Sequence, residues 1–166
     1  RLLARARRES AVPVAYADVW EFWLRQGTAL RDHVDVIAIH VLPYWEDDPV
    51  HVRDAVTHVR NTVAHVRGAF TPVRGAFAGK PVWLAESGWP AAGRQRGPAA
   101  PGVEAQTRFV RGLLDDAGAA ASAAPGLPDG IGAMNLIEGF DQPWKRALEG
   151  AVGGHWGVFD ARGQQR

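Results

Sequence analysis

The sequence predicts an α/β fold in which parallel strands alternate with helices. Four short apolar runs of strand length are separated by longer segments, most of them with helical periodicity. This alternation is typical of βαβ units. Polar and aromatic residues stand at or just after the end of each run. In a (β/α)8 TIM barrel, the carboxyl ends of the strands form the face that carries the active site. No Gly-rich phosphate-binding sequence follows the first run. We therefore favour part of a barrel over a small doubly wound sheet.

The first third of the chain predicts a helix and two strands. Residues 1–10 have the pattern of the end of an amphipathic helix, and residues 12–19 follow as a strand. A helix is expected to end near Asp32. Residues 34–41 form an almost continuous apolar run, as expected for a strand covered on both faces. Residues 42–49 are predicted to be the loop that leaves this strand.

A seven-residue repeat follows, in which His-Val-Arg occurs at residues 51, 58 and 65. Valines spaced by four and three predict one apolar stripe of a helix, ending near Arg67. Residues 67–70 and 74–77 repeat the same four letters, which indicates a duplication at the helix end or in the next loop. Successive histidines would lie about 10.5 Å apart along the helix, too far to share a metal. We therefore expect a solvated histidine stripe and no metal site.

The third strand is predicted to end at Glu86, which is followed by Ser-Gly-Trp-Pro. Gly88 and Pro90 end the strand, so the carboxylate lies where a strand becomes a loop. Trp83 and Trp89 flank it. Aromatic rings pack on the apolar faces of sugars, and a carboxylate can attack an anomeric carbon. This stretch therefore predicts a sugar site.

The rest of the chain completes the series. Residues 91–102 are predicted to form a polar loop, 104–117 a helix, 119–130 a connecting loop and 131–138 the last strand. Residues 140–145 leave that strand before a short helix.

Composition excludes several functions. The formal net charge is +1 with no basic block, so nucleic-acid binding and anionic-membrane binding have no electrostatic basis. Cysteine is absent, which excludes disulfides and thiolate chemistry. No stretch of these residues resembles a signal peptide or a transmembrane run, which is uninformative because the sequence starts without Met inside a helical pattern. We therefore expect the start of a larger protein to be missing.

Five segments together resemble glycoside hydrolase family 17, in its bacterial branch, which acts on β-1,3-glucan as hydrolase or glucanosyltransferase. They are residues 16–23, 39–47, 84–90, 135–145 and 153–157. The resemblance implies that residues 1–166 are one domain, the C-terminal half of a (β/α)8 barrel. It implies Glu86 as the nucleophile. The acid/base of that family lies in an Asn-Glu motif that this sequence lacks, so it is expected in a missing N-terminal half.

Further side chains at the strand ends are candidates for substrate contacts. They are Asp18, Trp20, Glu21, Trp23, His40, Tyr44, Trp45, Trp89, Glu138, Asp141, Gln142, Trp144 and Lys145. For Trp20 and Trp23 the alternative is that one or both are core residues. His40 and Tyr44 are expected to orient the nucleophile, the alternative for His40 being a satisfied core histidine. Glu138 and Asp141 bind substrate hydroxyls or pair with Lys145.

Two functions remain open at this point. One is a retaining β-glucanase or glucanosyltransferase, and the other is a non-catalytic β-glucan-binding remnant of such a barrel. The expected partners are a β-glucan and the missing half of the barrel, with no nucleic acid and no cofactor. The resemblance also makes fusion to a membrane glycosyltransferase an expectation, with a periplasmic, extracellular or envelope-associated location.

Overall fold

The computed structural model describes residues 1–70, 79–122 and 133–165, and for residues 120–122 it describes the backbone alone. Its strands are β1 (Ala15–Val19), β2 (Val36–His40), β3 (Val82–Ser87) and β4 (Met134–Leu136). Its α-helices are α1 (Leu2–Glu9), α2 (Trp20–Leu30), α3 (Val52–Phe70), α4 (Val103–Ser122) and α5 (Arg146–Glu149). Short 3₁₀ turns cover Arg31–His33, Pro143–Lys145 and Ala151–Gly154. Among these helices, none is long and apolar enough to cross a bilayer.

The four strands form one parallel sheet in the order β1-β2-β3-β4. The predicted parallel α/β architecture is therefore confirmed. Ile37 and Ile39 on β2 pair with Val82 and Leu84 on β3, and all four are buried. Their neighbours along the strands, such as Trp83, point to the opposite face because side chains alternate. Trp83 is 45% exposed there. This second face is called the inner face below.

The core lies between the sheet and the helices. The predicted valine stripe of α3 is confirmed, since Val59, Val63 and Val66 are buried. Phe109 and Leu113 on α4 are also fully buried and belong to the same core cluster. Burying such side chains stabilises the fold by about 1.5–3 kcal/mol each.

Several predicted boundaries differ from the structure. Helix α3 continues to Phe70 beyond Arg67, and α4 continues to Ser122 beyond residue 117. Gly68 and Gly118 stand inside these helices, where a glycine weakens but does not end a helix. Strand β4 is shorter than residues 131–138, because the chain leaves the ladder after Leu136. The first copy of the duplication is the end of α3, and the second lies outside the described residues.

Gln106 joins the loop after β3 to the closing segment of the chain, residues 155–157. It is a buried residue of α4, and its side-chain amide donates to the carbonyl oxygens of Trp89 (2.9 Å), Gly157 (3.1 Å) and Trp156 (3.2 Å). Nearby, a β-carbon on Gly88 would lie 2.2 Å from the Ile137 oxygen. The loops after β3 and β4 therefore approach each other so closely that only glycine fits between them.

Replacing Gln106 by leucine should destabilise the protein. Leucine has a similar size but removes the amide that donates to the three loop carbonyls, and loss of buried hydrogen bonds costs roughly 1–3 kcal/mol. Urea unfolding monitored by circular dichroism measures the free energy of unfolding. The control is Gln95→Leu, because within the described residues the Gln95 side chain makes a single, exposed hydrogen bond, to the Gly97 oxygen. An equal loss of stability in both variants would refute the role of Gln106.

Candidate active site

Glu86 and His40 meet on the inner face at the carboxyl ends of β3 and β2. Oε2 of Glu86 lies 3.3 Å from Nδ1 of His40, and the two side chains are 35% and 28% exposed. The pairing is irregular here, because Ile39 pairs with Leu84 whereas His40 pairs with Glu86. One extra residue on β3 therefore brings the carboxylate beside the imidazole. Both groups remain accessible to a ligand.

A second carboxylate, Glu46, lies in the loop after β2. The indole N–H of Trp20 donates to its two oxygens at 3.1 and 3.3 Å, and Nε2 of His58 lies 3.4 Å from Oε1. The Glu46 side chain is 11% exposed. Burial raises its pKa, but the His58 ring and the Trp20 hydrogen bond outweigh burial. The pKa of Glu46 consequently lies below its ordinary value.

A cavity of about 290 Å³ is lined by Glu46 and by His40, the neighbour of Glu86. Four of the residues that line it were predicted as substrate contacts, and the others were not. Its walls are Val19, Trp20, Glu21, Arg25, His40, Leu42, Trp45, Glu46 and Asp47. Mixed aromatic and polar walls of this kind suit a ligand with apolar faces and many hydroxyls.

Trp45 also lines a neighbouring cavity of about 320 Å³, together with Arg94 and Arg96. The Arg96 guanidinium lies 5.1 Å from the centre of the Trp45 ring, which is within cation–π distance. Arg96 also donates to the Tyr44 carbonyl oxygen at 2.8 Å. Arg96, which belongs to the loop after β3, therefore holds the exposed Trp45 indole in place.

Glu138 follows β4 and is held by two donors. Its Oε2 accepts from Gln142 at 2.5 Å and from Lys145 at 2.7 Å. Its Oε1 is buried and has no hydrogen-bond partner within the described parts of the chain. The predicted pairing with Lys145 is confirmed for Glu138.

Asp141 has a structural contact in place of the predicted pairing with Lys145. Its Oδ1 accepts from the Gly157 backbone N–H at 3.0 Å, and Oδ2 lies 3.6 Å from Nδ1 of His155. The carboxylate is buried, so it fastens the closing segment of the chain to the loop after β4.

Three predicted aromatic contacts lie in the core. Trp23, Tyr44 and Trp89 are buried almost completely, so their rings cannot contact a ligand on the inner face. The Trp23 indole donates to the Ala38 oxygen at 2.8 Å. The Tyr44 hydroxyl donates to the Arg94 carbonyl oxygen, so it does not orient Glu86. For Trp23 the core alternative is correct, and for Tyr44 and Trp89 the predicted ligand contact is wrong, since helices and loops cover all three.

Asp18 and Trp144 lie apart from the cavity walls. Asp18 pairs with the buried Ile39, which places it on the helix-facing side of β1, where it accepts from the Tyr16 hydroxyl at 2.8 Å. Trp144 is largely exposed, with the Lys145 ammonium 5.9 Å from its ring.

Two residues at or near the cavity were not predicted from the sequence. Arg25 lines the cavity, and His58 contacts Glu46 in its wall. Arg25 lies one turn after Glu21 on α2, so helical spacing could have placed it on the same side. His58 was expected to be solvated, yet its side chain is only 27% exposed.

A parallel sheet with a carboxylate at a strand end and an aromatic, polar cavity nearby is compatible with a glycoside hydrolase domain. A family model described as the BtgE/BtgC glycoside hydrolase domain matches residues 3–157. The chain belongs to this family. The match does not select a bacterial branch.

Individual relatives agree with this family. Probable beta-glucosidase btgE from two strains of Aspergillus fumigatus is 30% identical over 82 residues, 49% of this chain and 12% of the relative. The glycoside hydrolase family 17 beta-1,3-glucanosyltransferase of Rhizomucor miehei has a TM-score of 0.79 at 23% identity, covering 99% of this chain and 53% of that one. CJP38, a beta-1,3-glucanase and allergen of Cryptomeria japonica pollen, has a TM-score of 0.56 at 18% identity, covering 87% and 48%. These structures confirm that the fold is part of a TIM barrel.

The ionised form of Glu46 should contribute to stability at neutral pH. Its folded pKa is lowered, so this contribution is present above the unfolded pKa and is lost as the pH falls through the folded pKa. In Glu46→Gln, the melting temperature should therefore fall less than in the wild type between about pH 6 and about pH 3. Thermal melts across this range provide the measurement. Identical slopes in the two proteins would contradict the assigned pKa shift.

Proposed function

We propose that this chain carries the nucleophile of a retaining glycoside hydrolase or glucanosyltransferase that acts on β-1,3-glucan. The observation that carries the proposal is the accessible Glu86 carboxylate at the strand end, set beside His40, which lines a sugar-sized cavity. Membership in a glycoside hydrolase family supports it. A solved active-site mutant of the Rhizomucor miehei glucanosyltransferase holds laminaritriose, which supports a glucan as the ligand class.

In the proposed reaction, Glu86 attacks the anomeric carbon and forms a bond to it while the glycosidic oxygen leaves with a proton from a general acid. The resulting glycosyl-enzyme is then opened by water or by a sugar hydroxyl, which gives hydrolysis or transfer. His40 is within reach to donate to Oε2 of Glu86 and so fix the direction of the carboxylate. Both outcomes use the same intermediate, so this arrangement suits either activity.

The general acid is proposed to lie outside these 166 residues. A retaining enzyme needs a second carboxyl about 5–5.5 Å from the nucleophile, in its protonated form. Glu46 has a lowered pKa, the opposite of what an acid requires. Glu138 is held by Lys145 and Gln142. The chain spans about half of the matched glucanosyltransferase, which leaves room for the acid in the rest of a barrel.

Substrate contacts are proposed at two places around Glu86. Trp20, Glu21 and Trp45 wall the cavity beside His40. Around the end of β4, the exposed Trp144 ring is proposed to stack on a sugar, beside the Glu138 carboxylate held by Gln142 and Lys145. The bacterial branch, the envelope location and a fused membrane glycosyltransferase stay predictions.

The second candidate is a non-catalytic β-glucan-binding remnant. The observation that favours it is the absence of an Asn-Glu pair from the sequence. A 2-deoxy-2-fluoroglycosyl trap separates the candidates, because a working nucleophile is labelled covalently whereas a binding module is not. Peptide mass spectrometry would then locate the label, expected on Glu86.

Glu86→Gln in the full-length protein should abolish turnover and preserve binding. The amide keeps the shape of the side chain but cannot form the glycosyl-enzyme, so kcat should fall by about a thousandfold or more. Release of reducing sugar from a β-1,3-glucan oligomer measures kcat, and calorimetry measures affinity. The control is Glu104→Gln, at an exposed position in the first turn of α4. Normal turnover in Glu86→Gln would overturn the assignment.

The 166-residue chain by itself should hydrolyse the oligomer far more slowly than the full-length protein. Loss of general acid catalysis typically costs 10²–10⁴-fold, and β1 and β4 leave two strand edges unpaired in the described sheet. The comparison uses equal molar amounts of both proteins, with size-exclusion chromatography to record self-association. Equal turnover would place the acid within these residues, with Glu138 or Glu46 as the first candidates.

A further inference from the structure

One member of the histidine repeat faces the protein. His51 and His65 are exposed, whereas His58 is packed against the loop after β2. A seven-residue step rotates a helix position by only about 20°, so the three histidines lie almost on one line along α3. His58 is less exposed than the other two histidines because the Glu46 carboxylate lies opposite it.

Glu46 links this histidine to the cavity wall. On one side its Oε1 lies 3.4 Å from Nε2 of His58, and on the other both of its oxygens receive the Trp20 indole N–H. The His58 nitrogen is buried and makes no hydrogen bond of good geometry in the described chain, so its contact with Glu46 is electrostatic. Glu46 is therefore contacted from two sides, by the Trp20 N–H and by the His58 ring.

Trp20 depends on this carboxylate for the direction of its ring. Tryptophan has a single polar hydrogen, and that of Trp20 is given to Glu46. Trp20 is also the first residue of α2, where no preceding helical turn packs against it. Its indole lines the cavity beside His40. The hydrogen bond to Glu46 therefore fixes the orientation of the Trp20 ring at the cavity wall.

We propose that His58 is a positioning residue that holds Glu46, and through it the Trp20 indole, as a preformed wall for a pyranose unit of the glucan chain. The proposal rests on the proposed function for the identity of the ligand. A ring fixed before binding loses less conformational entropy when a sugar stacks on it. His58 therefore acts on affinity, at a distance from the reacting atoms.

The test compares three variants of the full-length protein. His58→Leu removes the ring nitrogen, His58→Gln supplies an amide N–H in its place, and His65→Leu is the matched control from the same repeat. With a β-1,3-glucan trisaccharide, KM and Kd should rise about fivefold in His58→Leu, with kcat changed less than twofold. His58→Gln should restore the wild-type values, and His65→Leu should equal them.

A second readout does not need the ligand. The indole N–H resonance of Trp20, assigned by its loss in Trp20→Phe, should shift or broaden in His58→Leu and stay in place in His65→Leu. An unchanged resonance would overturn the proposal even if the protein binds glucan. A shifted resonance in a protein that does not bind the trisaccharide would instead overturn the proposed function and leave the positioning role standing.

The coupling between the two residues provides the final check. If His58 acts through Trp20, then His58→Leu should weaken binding no further in a Trp20→Phe background. Fully additive losses would show that His58 acts on the ligand by another route and would overturn the proposal. Melting temperatures of all variants identify any that are unfolded, and for those the His58→Gln result decides.

Discussion

The geometry of the site depends on one irregularity in the pairing of β2 with β3. Up to Ile39 and Leu84 the two strands pair residue by residue, and after that point β3 contains one residue more. With regular pairing, Ala85 would stand beside His40, and Glu86 would turn toward the helices. A shift of one residue reverses the face of every later side chain. The extra residue is therefore what places the carboxylate on the inner face.

Buried aromatic residues hold the exposed ones in place around this point. Tyr44 stacks on Trp45 with ring centres 5.8 Å apart, and Trp156 meets both rings edge-on. Trp89 packs against Tyr44 on one side and Phe109 on the other. Aromatic pairs of this kind add about 0.5–1.5 kcal/mol each beyond burial. The core aromatics thus fix the loops from which accessible side chains project.

Local patterns in the sequence were enough to predict the parallel α/β series, the valine stripe of α3 and the position of Glu86 at a strand end. They were not enough to separate core aromatics from accessible ones, because the burial of Trp23 and Tyr44 depends on helices and loops distant in sequence. The same limit applies to His58, whose partner Glu46 precedes it by twelve residues across a loop. Helix ends were missed where alanine-rich segments extend past a glycine.

The heptad in α3 also affects how this gene can change. Val59 and Val66 occupy equivalent positions in successive copies, and both are fully buried. Because seven residues are nearly two whole turns, an in-frame gain or loss of one copy by replication slippage would keep the buried stripe almost in phase. A length change of seven residues is therefore compatible with the buried face of this helix, whereas a change of one or two residues rotates the valines away from the core.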